Sequence, residues 1–147
     1  MKNSIAESMA FFASEEFDEK FRYDGRDLGA GCTEEGTVFK VWSPPAESVQ
    51  LRLYRDGITE DACLERQMQA DEKGTWKLEF PERLHGMYYD YLVRIDGKDT
   101  PTADPYAVGC SCNGGRSMVV DLSRTDPPGF AADRAPAECG ERIIYEL

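Results

Sequence analysis

Over much of the stretch from residue 37 to residue 122 the apolar residues recur at every second position, and no other feature of the chain constrains its fold as much. In 48–54, SVQLRLY, Val49, Leu51 and Leu53 point one way and Gln50, Arg52 and Tyr54 the other. In 75–80, TWKLEF, Trp76, Leu78 and Phe80 oppose Thr75, Lys77 and Glu79. In 87–95, MYYDYLVRI, Tyr89, Tyr91, Val93 and Ile95 share a face. Residues 37–43 and 117–122 are further β-rich runs, and 63–68 is a weaker one. A period of two belongs to strands with one face in a core and one in water. Turn signals fall between the runs at Pro44-Pro45, Asp56-Gly57, Lys73-Gly74, His85-Gly86 and Asp96-Gly97. Six or seven short antiparallel strands at this spacing, over about a hundred residues, predict an all-β, immunoglobulin-like β-sandwich.

The flanks have a different texture. Residues 1–16 read as an N-terminal arm, with Ile5, Met9 and Phe12 on one face of a short helix. The sandwich is expected over 17–123. Residues 124–142 are rich in proline, glycine and small or charged residues and read as a linker. Then 143–147, IIYEL, forms a continuous apolar run of the kind that strands buried on both faces carry. The expectation is that a larger second domain begins there.

Lys and Arg total 17 against 28 Asp and Glu, a formal charge of −11. Such a surface repels phosphate backbones and anionic lipid, so neither nucleic acid nor membrane is an expected partner. The five cysteines fit no zinc spacing and read as reduced thiols of a cytoplasmic protein, with no metal or cofactor. The apolar patch at 9–13 is too short and too poorly flanked for a signal peptide or a membrane span.

No catalytic constellation emerges. The single histidine, His85, sits at a turn, and Asn113-Gly114-Gly115 lacks the lysine and spacing of a phosphate cradle. Twenty-eight acidic residues make some carboxylate pair inevitable, so pairing carries no information about glycosidic acid/base chemistry. Aromatic faces can stack on sugar rings. Trp76 lies in register with Leu78 and Phe80 and is assigned to the core; Trp42 shares a face with Val38 and Lys40. Tyr54 and Tyr88 fall on polar faces and are the candidate carbohydrate-contacting residues.

Several stretches occur together in a recognisable order: Tyr23-Asp24-Gly25, Asp27-Leu28-Gly29-Ala30, Phe39-Lys40-Val41-Trp42-Ser43-Pro44, then GMYYDYLVRIDG, ADPYAVGCSCNGGRSMVVDL, TDPPGF and IIYEL. From about residue 17 onward the chain resembles the N-terminal part of type I pullulanases, glycoside hydrolases of family 13 that hydrolyse α-1,6 branches in pullulan, glycogen or starch. The resemblance implies a carbohydrate-binding module of family 48, an early-set immunoglobulin-like sandwich. It also implies that IIYEL is the first strand of a (β/α)8 catalytic barrel whose catalytic residues lie beyond Leu147. The implied partners are that barrel and an α-glucan. Asp104, Pro105 and Tyr106 are the candidate contacts to the barrel. Glycogen-gripping members carry a tryptophan after the turn equivalent to Asp96-Gly97 and another after the second strand. Here those places read Lys98-Asp99-Thr100 and Arg55-Asp56-Gly57-Ile58. The expectation is therefore a non-catalytic module that buttresses the barrel and positions substrate. The alternatives are an independent α-glucan-binding module and an accessory domain of an isoamylase or branching enzyme.

Overall fold

A computed structural model describes residues 5–58 and 60–134, together with Tyr145. The strand expected at 143–147 lies outside these residues except for Tyr145, which is exposed. Two helices come first, α1 (Ile5–Phe12) and α2 (Glu15–Phe21). Strands follow in the order β1 (Gly29–Thr33), β2 (Gly36–Trp42), β3 (Ser48–Tyr54), β4 (Leu64–Gln67), β5 (Gln69–Ala70), β6 (Thr75–Phe80), β7 (Tyr88–Ile95), β8 (Lys98–Thr102), β9 (Gly109–Cys110) and β10 (Ser117–Met118). All pairings are antiparallel and form two sheets, β1-β2-β6-β5 and β4-β3-β7-β10-β9. β8 pairs with β7 on the same side as β10, so the two share that edge end to end.

The sandwich predicted from alternation is the observed architecture. Val49, Leu51 and Leu53 stand opposite Val93, Tyr91 and Tyr89, and all six are buried. Phe39 and Val41 face them from β2, with Trp76, Leu78 and Phe80 packed against the same cluster from β6. The Phe39 and Tyr89 rings meet edge to face across the sheets at 5.0 Å, the arrangement aromatic quadrupoles favour. Each fully buried large apolar side chain contributes about 1.5–3 kcal/mol. Met68 and Val119 complete the core from outside the long strands.

Two turns depend on positive φ. Asp96 and Gly97, at φ 50° and 72°, close the two-residue β7–β8 hairpin with the twist such loops require. Gly36 opens β2 at φ 145°, where a Cβ would lie 2.0 Å from the Phe80 carbonyl oxygen.

The arm is helical and in part anchored. Ser14 caps α2, accepting the Phe17 N–H at 3.2 Å, and Glu15, Glu16 and Asp18 occupy its first turn; both features favour a helix start. Phe17 is buried among Phe11, Phe12, Phe21 and Trp42.

Candidate functional site

The outer face of the larger sheet carries the two tyrosines expected to meet sugar. Tyr54 and Tyr88 are register partners on β3 and β7. Next to them Arg52 and Asp90 form a fork, with Nε to Oδ1 and Nη2 to Oδ2 both at 2.7 Å. The Tyr54 hydroxyl donates to the same carboxylate at 3.2 Å. Burial first, and the Asp90 charge second, raise the Tyr54 pKa, so the hydroxyl remains a donor. Arg116, at the foot of β10, lays its guanidinium 3.5 Å above the Tyr54 ring centre. Its backbone N–H donates to Ser111 Oγ at 3.0 Å, and the Ser111 N–H donates to the Arg116 carbonyl at 2.8 Å.

This corrects one expectation. Tyr54 does lie on the polar face, yet it is only 2% exposed, because a cation covers its ring and a carboxylate takes its hydroxyl. It presents no platform to a sugar. Tyr88 is half-buried beside Gly57, where a Cβ would sit 3.2 Å from the ring. Both tryptophans serve the fold. Trp42 donates its indole N–H to the carbonyls of Phe21 at 2.8 Å and Lys73 at 3.1 Å, and Trp76 donates to Ser43 at 3.2 Å.

The side of the sandwich closed by β1 differs in character. Asp104 lies where the chain leaves β8, with its carboxylate turned inward and the residue 5% exposed. It accepts the hydroxyls of Tyr89 and Tyr91 at 2.7 and 3.1 Å and the Tyr106 N–H at 2.9 Å, while its own N–H donates to Ser117 Oγ at 2.8 Å. Burial raises its pKa, with the three donors pulling the other way. Asp104 is therefore an internal brace rather than a contact to another domain. Its neighbours Pro105 and Tyr106 are exposed, as an interdomain contact requires.

Two depressions run along β1, of about 360 and about 500 Å³. Leu28, Tyr106 and Met118 line the first, Val120 and Leu122 the second, and Ala30 and Val108 both. Val108 is 66% exposed and Leu122 63%. The Tyr106 carbonyl approaches Gly29, at φ 102°, so closely that a Cβ there would lie 3.0 Å away.

A polar clamp that alternation alone does not reveal lies beside this side. Lys40, 5% exposed, donates to Tyr23 Oη at 2.7 Å and Asp27 Oδ2 at 3.2 Å, and pairs with Asp71 Oδ2 at 3.2 Å. Burial disfavours its ammonium, but the bonds to Tyr23, Asp27 and Asp71 outweigh that and raise its pKa. A lysine at an alternating position of an apolar strand, preceded by Tyr23 and Asp27 four residues apart, was the available signal.

The fold agrees with a known family. Carbohydrate-binding module 48 (Isoamylase N-terminal domain) matches residues 27–107, and the chain belongs to this family. Its similarity to pullulanases bears out the resemblance read from the motifs. It is 32% identical to pullulanase 1, chloroplastic, of Arabidopsis thaliana over 142 residues, covering 88% of this chain and 14% of that protein. It is 33% identical to the pullulanase of Bacillus subtilis (strain 168) over 131 residues, covering 88% and 17%. Among solved structures, the pullulanase of Paenibacillus barengoltzii in complex with maltohexaose and alpha-cyclodextrin superimposes with a TM-score of 0.78 at 34% identity, covering 86% of this chain and 20% of that one. The chain thus spans a fifth or less of the length of these relatives.

Proposed function

We propose that the chain is a non-catalytic module of a pullulanase-type enzyme, which buttresses the catalytic portion of a longer chain and helps place a branched α-glucan for α-1,6 hydrolysis. The observation that carries this reading is the β1 side, where Tyr106, Val108 and Leu122 leave apolar surface in water beside two depressions. Surface of this kind, grouped on one side, is characteristic of a contact with protein. Three aromatic side chains suited to stacking on sugar are meanwhile committed within the fold: Trp42, Trp76 and Tyr54 all have internal partners. In the full-length chain, Val108→Asp combined with Leu122→Asp should lower the melting temperature and kcat/KM on pullulan while leaving the melting of residues 1–147 unchanged. Equal melting of the full-length variant and its parent would sink the reading.

Family membership and the partly exposed Tyr88 favour a second reading, independent α-glucan binding. Electrophoresis of residues 1–147 through gels with and without glycogen, amylopectin and pullulan separates the two. The buttress reading expects equal mobility in all four gels, and retardation that Tyr88→Ala removes would establish the second.

A further inference from the structure

Strand edges with unpaired N–H and C=O groups invite pairing with other chains, and proteins guard them with charge, proline or brevity. The other edges here follow that rule. β8 carries Lys98, Asp99 and Pro101, β4 carries Glu65 and Arg66, and β5 and β9 are two residues long. β1 is the exception among the described residues. It is five residues, Gly-Ala-Gly-Cys-Thr, with no charge and no proline, and it ends its sheet with β2 as its one strand partner. Its edge is flanked by the depressions walled by Val108, Met118 and Leu122. A bare edge beside apolar hollows is what strand addition uses: main-chain hydrogen bonds hold the guest, and hollows take its alternate side chains.

We propose that an extended, uncharged segment, from the part of the full-length chain outside residues 1–147, adds to β1 as a fifth strand of the smaller sheet. This rests on the buttress reading and names the seat of the contact. Charge argues for the guest's character. Asp27, Lys77, Arg83 and Asp121 line the depressions in ion pairs, Asp27 with Lys40, Lys77 with Glu79, and Arg83 with Asp121, and Arg26 and Glu34 add one charge of each sign, so the lining favours neither an anionic nor a cationic guest. Length argues for its source, since the relatives continue well beyond the region matched here, which covers 14% of one and 17% of another.

The test is hydrogen exchange on residues 1–147 and on the full-length chain, with Gly31→Lys in each. A Cβ at Gly31 meets nothing nearer than the Val38 carbonyl at 3.9 Å, so the sandwich accepts a lysine there, while the lysine guards the edge. In the full-length chain the outward amides of 29–33 should exchange roughly tenfold more slowly than in residues 1–147. Gly31→Lys should abolish that difference without changing the melting of residues 1–147, and Arg66→Glu, on the β4 edge of the larger sheet, should leave it intact. Slowing around Val108 and Leu122 with none at 29–33 would overturn strand addition while leaving the buttress reading in place. No slowing anywhere would overturn both. Dimerisation of residues 1–147 that Gly31→Lys abolishes would assign the edge to a second copy instead, and so overturn the proposal.

Discussion

Lys40 and Asp104 are both ionisable side chains withdrawn from water, and their surroundings tilt acid stability in opposite directions. The Tyr23 hydroxyl first, and Lys40 after it, hold the Asp27 carboxyl below its ordinary pKa; the Glu72 backbone first, and then Lys40, do the same for Asp71. A lowered native pKa gives stability that is present above the unfolded value and lost as pH falls through the native one. Lys40→Met should cost about 1–3 kcal/mol in urea unfolding at neutral pH, modest because both carboxylates are partly solvated. The variant should also show a flatter acid limb, and an unchanged limb would show that the clamp does not couple to protons. Asp104 works the other way. Its raised native pKa favours the folded state at low pH, and this contribution is lost as pH rises through the native value. The stability of Asp104→Asn relative to the parent should therefore climb as pH rises from the ordinary aspartate range through the raised native value. A constant difference across that range would contradict the assignment.

At the level of elements, the long strands were legible and the short, small-residue ones were not. Residues 48–54, 75–80 and 87–95 announced themselves because each places large apolar side chains on a single face, and that face is the core. β1 has only Ala30 and Cys32 to turn inward between glycines, so no apolar period shows. β8 is entirely exposed and contains Pro101, which edges tolerate and periodicity rules discount. The run at 117–122 shrank to β10 because Val119 exchanges backbone bonds with Met87 and Gly86, and Asp121 then caps a short 3-10 turn. Site residues failed where a side chain from a distant element intervened. Alternation placed Tyr54 on the outer face correctly, but nothing local indicates that Arg116 will cover it. Arg116→Ala should lower stability by about 1 kcal/mol and expose Tyr54 to solvent quenchers of tyrosine fluorescence. Phe17→Ala should cost about 3 kcal/mol and red-shift tryptophan emission, since Phe17 packs edge-on against Trp42. An unshifted spectrum would mean that α2 does not shield the indole.

For the molecule as a whole, the tryptophans, the buried tyrosines and both charge networks are satisfied internally among the described residues. On the proposed non-catalytic reading, residues 1–147 alone should release no reducing sugar from pullulan, and measurable release would end that reading. The position of Val119 has a consequence for synthesis. It is fully buried, and among the described residues it is the last member of the core cluster in chain order. A ribosome delivers the chain from the other end, so β1, β2, β3 and β7 all emerge before the plug that seals the space between the sheets. Through that interval the nascent protein holds a lidless core and a bare glycine-rich edge at once, the combination most prone to pairing with a neighbouring chain. Premature termination before Val119 should therefore yield aggregates rather than a smaller folded domain, making the last few residues of the sandwich decisive for the fate of everything translated before them.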